Sequence, residues 1–276
     1  MYKIGLSTCN NVAEQFFANC KTSGIEVVEI SANKDNCDAL SFSDLSVWSK
    51  KYSVGIWSFH LPFAPFSVLD ISNKNLSTQT IQYFSELIKK ATDIGIDKFI
   101  LHPSGEPIGD DERSESLKIA KESLHKLAEI ASAYGGVIAV EDLPRTCLGN
   151  NSTEILDLIS ANDKLRVCFD TNHLLKENAV DFVKNVGDKI ITTHISDYDF
   201  INERHWLPGE GLLDWQGLLK ALKDVNYKGP WLYEIDLKGT KTICRERDLT
   251  HSDFVKNANE IFKNQPISVF YTKKTV

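Results

Sequence analysis

Short runs of consecutive apolar residues, many of them β-branched, recur along the chain at residues 3–7, 26–30, 54–59, 98–101, 137–140, 165–169, 190–193 and 231–233. The run Val137-Ile138-Ala139-Val140 is typical. Unbroken apolar stretches of this length predict strands buried on both faces, as in a parallel sheet. Between them, hydrophobic positions fall three and four residues apart. In 76–94, Ile81, Phe84, Leu87 and Ile88 form one stripe before Gly95; in 112–134, Leu117, Ala120, Leu124, Leu127 and Ile130 form another before Gly135. That spacing lays a single apolar face along an α-helix, which a glycine can then end. Shorter helices are expected over 11–22, 152–159, 178–186, 215–225 and 253–262, and 38–50 fills the remaining slot. Strict alternation selects a parallel α/β fold. An open doubly wound sheet also fits, but eight units filling one domain favour a single closed (β/α)8 barrel over residues 1–265, with 266–276 as a C-terminal tail.

Composition agrees with this and narrows the function. At 276 residues and 42% hydrophobic, the chain can bury a large core. Its 31 basic and 38 acidic side chains leave a net charge of −7, which argues against nucleic acid as the main partner. No stretch approaches the roughly 18–20 unbroken apolar residues of a membrane span. Residues 1–10 lack a basic segment followed by a long apolar run, so no export signal is expected. None of the six cysteines falls in a Cys-x-x-Cys pair, which removes support for zinc-ribbon and thioredoxin readings. Reduced thiols and a cytoplasmic location are expected.

The chemistry gathers where strands end. In a barrel, the C-terminal ends of all eight strands meet on one face. Here His60, His102, Glu141, Asp170, His194 and Glu234 each close an apolar run, in Ser58-Phe59-His60, Leu101-His102-Pro103, Val140-Glu141-Asp142, Phe169-Asp170-Thr171, Thr193-His194-Ile195 and Tyr233-Glu234-Ile235. Taken singly, each could be a helix cap or a satisfied core residue. Jointly they would bury many unpaired charges at one rim, a cost that a divalent cation bound by carboxylate oxygens and imidazole nitrogens relieves. A further histidine, His205, lies in a loop on the same face, within Glu203-Arg204-His205-Trp206-Leu207-Pro208-Gly209. The chain has no Walker loop and no Rossmann fingerprint.

This ordered set resembles the xylose isomerase-like TIM-barrel superfamily, which includes sugar phosphate isomerases and epimerases, ketose 3-epimerases and type IV AP endonucleases. The telling pieces are 58–63, 101–103, 140–141, 169–173, 194–197 and 207–215. The resemblance implies one divalent metal (manganese, magnesium, zinc or cobalt) on Glu141, Asp170, His194 and Glu234. It also implies Glu141 and Glu234 as an acid–base pair, moving a proton beside a carbonyl through a metal-bound enediolate. His173 would orient a substrate hydroxyl, and Arg145 matches an arginine that follows the first glutamate. Arg204 and Trp206 become candidate substrate-binding residues, and Phe63, Trp206 and Phe66 are candidates for an apolar wall against a sugar face. Two departures from the ketose-epimerase pattern are Cys147, where that branch places another glutamate, and a longer loop between Asp197 and Trp206.

A second carry-over points to a multi-zinc phosphodiesterase. The type IV AP endonucleases hold additional zinc on residues matching His60, His102, His173 and an Asp-Arg-His triplet, for which this chain has Glu203-Arg204-His205. The expected reading is nonetheless a metal-dependent sugar or sugar phosphate isomerase or epimerase, because rim segments such as Ile108-Gly109-Asp110-Asp111-Glu112 are acidic. A keto-sugar lyase or dehydratase shares the first proton abstraction and stays open. A non-catalytic barrel is disfavoured by retention of both glutamates. The resemblance further implies a homo-oligomer.

Overall fold

The computed structural model of the chain describes residues 1–63 and 65–275. Eight strands, β1 Ile4–Ser7, β2 Val27–Ser31, β3 Gly55–His60, β4 Lys98–Leu101, β5 Val137–Glu141, β6 Arg166–Asp170, β7 Ile190–His194 and β8 Trp231–Tyr233, form one sheet. They run in the order β7-β6-β5-β4-β3-β2-β1-β8. Every pairing in it is parallel. At the seam, the Ile195 N–H donates to the Leu232 carbonyl at 2.8 Å and Ile195 bridges Tyr233, so the barrel is nearly closed. Parallel neighbours need crossovers, and helices supply them. They are α1 Glu14–Ser23, α2 Lys34–Asp38, α3 Phe42–Tyr52, α4 Ser77–Thr92, α5 Arg113–Ala133, α6 Ser152–Ile159, α7 Ala179–Val186, α8 Trp215–Asp224 and α9 His251–Phe262.

Most expected elements appear within a few residues of the positions read from the periodicity. The exception is 38–50. Ser41 accepts a hydrogen bond from the Asp44 N–H, so the helix starts at Phe42 and runs on to Tyr52. Residues 34–38 form a separate short helix that Asn33 caps. Ser41 is the start signal of this helix, since its hydroxyl competes for backbone donors best at an N-terminus. Similar caps are Asn151 before α6, Asp214 before α8, and Thr250 with Asp253 at α9. Gly24 ends α1 at φ 90, donating to the Cys20 carbonyl at 3.0 Å.

The helices turn their stripes inward, as with Leu124, Leu127 and Ala131 of α5, and Phe17, Phe59, Phe99, Phe169 and Phe182 are fully buried in the same core. Removing each such side chain from water contributes about 1.5–3 kcal/mol. All six cysteines are free thiols. Among the described residues, no helix is long and apolar enough to cross a membrane.

A two-stranded antiparallel ribbon stands apart from the barrel sheet: β9 Ile243–Arg245 pairs with β10 Tyr271–Lys274. It draws the C-terminal residues back over the loop between β7 and α8. Glu210 of that loop is fully buried, ion-paired to Arg245, and accepts the Phe270 N–H at 3.2 Å.

Candidate metal and substrate site

Three side chains of interest are the last residues of their strands: Glu141 of β5, Asp170 of β6 and His194 of β7. Glu234 follows β8 directly. Asp170 stands opposite His194 in the β6–β7 register, and Glu141 opposite Cys168 in β5–β6, so one rim receives them all. One ligand atom from each of the four lies within 4.8 Å of the others. His194 Nδ1 is 3.0 Å from Glu141 Oε1, 3.4 Å from Glu234 Oε2 and 3.9 Å from Asp170 Oδ2. Asp170 Oδ2 is buried without a hydrogen-bond donor. An orphaned buried carboxylate oxygen, converging with two more carboxylates on an imidazole, fits a divalent cation bound by mixed oxygen and nitrogen ligands.

Glu141 also faces the other way. Its Oε2 is 3.1 Å from His60 Nε2 and 3.2 Å from His102 Nε2. His60, Glu141 and His194 form a second group whose donor atoms converge within 4.8 Å. A carbonyl oxygen can only accept, so the ring nitrogen beside one must carry the proton. That applies to Nδ1 of His60 at the Leu61 carbonyl (2.9 Å), of His173 at Asp142 (2.8 Å) and of His205 at Glu234 (3.1 Å). In their neutral forms these rings offer Nε2 to a ligand. The His173 and His205 ring centres are 6.0 Å apart, and Glu203 Oε2 is 3.9 Å from His173 Nε2.

Burial and mutual charge pull the acids apart. Burial, then the neighbouring Glu141 charge, pushes Asp170 up to about 7. Glu234 is also raised, by burial against a partly compensating His194. Glu141 is buried too, yet the charges and hydrogen bonds of His194 and His102 outweigh burial and hold it well below the usual carboxylate range. Burial opposes a charge on His60, but its bond to Glu141 and the charges of Glu141 and Glu29 bring it up to about 9. The cluster thus holds protons where a cation would sit.

A cavity of about 410 Å³ opens onto this cluster, with Glu141, Glu234, His102, His173 and His205 in its walls. A larger one of about 660 Å³ lies elsewhere, between Tyr2, Trp57, Tyr227 and Phe262. Volume alone does not mark a site, and the smaller cavity carries the convergent polar groups.

Residues 17–250 match the family model described as the xylose isomerase-like TIM barrel. The chain belongs to that family. Its relatives include an uncharacterized protein of Methanocaldococcus jannaschii, 26% identical over 71% of this chain and 70% of that one. A probable endonuclease 4 of Mesoplasma florum is 28% identical over 59% of this chain and 62% of its own length. An L-ribulose 3-epimerase of Methylomonas sp. is 27% identical over 65% and 68%. Among solved structures, a D-tagatose 3-epimerase-like protein superposes with a TM-score of 0.81 at 22% identity, covering 95% of this chain and 97% of that one. The first two curated relatives match over 70% and 32% of their own lengths.

Within this xylose isomerase-like barrel, the substrate candidates part company. Arg145, Phe63, Phe66 and Cys147 line the cavity, together with Glu106, Glu203 and Asp236. Arg145 is clamped there by Glu106 (2.8 and 2.6 Å), Asn202 (2.8 Å) and Glu203 (3.0 Å). Arg204 and Trp206 are not in its walls. Arg204 pairs with Asp199 at 2.8 Å, while Trp206 is 1% exposed and donates its indole N–H to Thr242 at 3.0 Å. The physical reason is a bridge between Asp197 and Trp206, which folds the loop back and turns the indole beneath it.

Other polar groups of the site escape a reading based on strand ends. Glu29 lies inside β2, fully buried, with His194 and Ser58 as partners. Its one signal is a charge within Val27-Val28-Glu29-Ile30. Asn172 accepts the N–H groups of Arg204 (2.8 Å) and His205 (3.2 Å), fixing the loop that carries His205.

Proposed function

We propose that this protein is a divalent-metal-dependent epimerase or isomerase of unphosphorylated keto-sugars. The carrying observation is that Glu141 and Glu234 line one cavity while sharing a donor cluster with Asp170 and His194. Those four side chains would hold the metal, and the relatives that carry epimerase names support the sugar reading. When bound, the cation supplies a positive charge that stabilises the oxyanion formed as a proton leaves the carbon beside a carbonyl. The residues do the rest. Glu141, which its imidazole neighbours hold ionised, takes the proton on one face. Glu234, whose pKa burial raises, carries the proton that is returned to the other face or to the neighbouring carbon. His173 and His205 present Nε2 acceptors to sugar hydroxyls, while Phe63 and Phe66 offer apolar surface to the ring or chain.

The walls argue for an uncharged substrate. Glu106, Glu203, Glu234, Asp236 and Glu141 face the cavity, and Arg145 is already neutralised by two of them. A phosphate dianion entering here would meet repulsion and, among the described residues of the walls, no free guanidinium.

A second reading is hydrolysis of a phosphodiester by several zinc ions. It is favoured by the convergence of His60 and His102 on Glu141 and by the relative named as a probable endonuclease 4. The same acidic walls weigh against it. Metal-loaded protein incubated in heavy water with ketoses, their phosphates and abasic DNA separates the readings. Deuterium appearing beside the carbonyl of an unphosphorylated ketose is the expected result, and cleavage of the DNA without sugar exchange would overturn it.

A further inference from the structure

Glu29 occupies an unfavourable place, the interior of an apolar barrel strand, where a carboxylate persists only if hydrogen bonds satisfy it. Ser58, its partner in the β2–β3 register, donates its hydroxyl to Glu29 Oε2 at 2.7 Å. The other partner is His194, whose Nε2 lies 3.1 Å from Oε2 and 3.0 Å from Oε1. An ionised carboxylate only accepts, so His194 Nε2 carries the proton. In a neutral ring that leaves Nδ1 as a bare lone pair, and Nδ1 is the atom facing Glu141, Glu234 and Asp170.

We propose that Glu29 is the positioning residue of the metal centre. By accepting the Nε2 proton, it fixes the tautomer and ring plane of His194 and presents Nδ1 as the ligand. The inference rests on the metal reading above. His194 differs in this from His60, His173 and His205, whose Nδ1 atoms are tied to backbone carbonyls. A carboxylate behind a ligating imidazole also raises its basicity, which strengthens the metal bond. An apolar side chain at position 29 would fill the barrel without needing Ser58, so packing alone does not account for the pair.

The test compares manganese affinity, by competition with a chelator of known affinity, for the metal-stripped full-length protein and its Glu29→Gln variant. A glutamine can donate to Nε2 as readily as accept from it, which frees the other tautomer and places a proton on Nδ1. Affinity is expected to fall about 10–100-fold, with Ser58→Ala falling less in the same direction. Nitrogen-15 shifts of His194 in the zinc-loaded wild type provide a check that needs no variant to fold: Nε2 protonated and Nδ1 bare is expected. Affinity of Glu29→Gln within twofold of a tightly binding wild type, or a protonated Nδ1, overturns the inference alone. A wild type that binds no divalent metal overturns the metal reading with it.

Discussion

Exchanging each glutamate of the proposed acid–base pair for glutamine should have opposite effects on the stability of the metal-free protein. Glu141 is fully buried and lies within 3.0–3.2 Å of imidazole nitrogens of His194, His60 and His102. Its pKa lies far below the usual range, so the fold favours its charge. Glu234 approaches His194 with one oxygen at 3.4 Å, is 15% exposed, and has a raised pKa, so the fold disfavours its charge. Removing one member of a buried ion pair costs about 3–5 kcal/mol. For a chain of 276 residues, unfolding entropy near 2.1 cal/mol/K per residue gives roughly 0.6 kcal/mol per kelvin. Metal-free Glu141→Gln should therefore melt roughly 5–9 °C below wild type. Glu234→Gln should melt within about 2 °C of wild type or above it, because the amide removes a charge the fold resists. Turnover suffers in both variants, and in Glu234→Gln it is the quantity that falls without a loss of stability. A positioned acid or base contributes roughly 10²–10⁴-fold, or about 3–5 kcal/mol of barrier, and the amide can neither take nor return the proton. Deuterium uptake into the responsive ketose, followed by NMR alongside thermal melts, measures both. Glu234→Gln retaining turnover within tenfold of wild type would falsify the two-glutamate mechanism, and a melting loss matching that of Glu141→Gln would refute the stability argument.

Other expectations follow from the same contacts. Metal-free protein should lose stability as pH rises from about 6.5 to 9. His60, pushed up to about 9, contributes stability in full below its unfolded pKa of about 6.5 and loses it through its folded one; Asp170, raised to about 7, adds to the loss over the lower part of that window. Melting temperatures in chelator at pH 6.5, 7.5 and 9 test this, and a flat or rising series contradicts it. Arg204→Ala, which breaks the pair with Asp199 outside the cavity, should change KM less than about threefold, whereas a tenfold rise would mean that the guanidinium reaches substrate. Gly211→Ala should cost about 1–3 kcal/mol in denaturant unfolding, since its Cβ would collide with the Asp197 carboxylate and the Tyr198 carbonyl. An unchanged midpoint would mean that the loop yields freely.

The barrel and its rim are legible in the sequence for one physical reason. A strand buried on both faces reads as an apolar run, and the residue that breaks the run sits where the strand leaves the core. His60, Glu141, Asp170, His194 and Glu234 all announce themselves that way. Glu29 does not, because a carboxylate in mid-strand is explained only by its partner, and His194 lies 165 residues away. Loop side chains fail differently. Arg204 and Trp206 neighbour His205 in sequence, but the backbone pairing of Asp197 with Trp206 decides which of them faces the cavity, and no local spacing encodes it. The ribbon of β9 and β10 is equally silent, since Tyr-Thr-Lys-Lys alternates too briefly to signal a strand and its partner lies across α9.

Donor count alone does not separate a sugar enzyme from a phosphodiesterase. Glu141 divides the rim: one oxygen faces His194, close to Asp170 and Glu234, and the other faces His60 and His102. That geometry can serve one cation or several. What differs between the two chemistries is the second partner, the oxygen-rich group that must approach the metal. A phosphodiester brings negative charge and needs cations beyond the centre to offset it. Arg145 in these walls is spent on Glu106 and Glu203, and Asp236 adds a further negative charge. A neutral polyol meets no such penalty, because carboxylates and imidazole Nε2 atoms accept hydrogen bonds from its hydroxyls. Releasing Arg145 by replacing Glu106 and Glu203 with glutamine should thus shift preference toward phosphorylated ketoses, measured as the ratio of kcat/KM for each sugar and its phosphate. An unchanged ratio would show that wall charge does not set the substrate class.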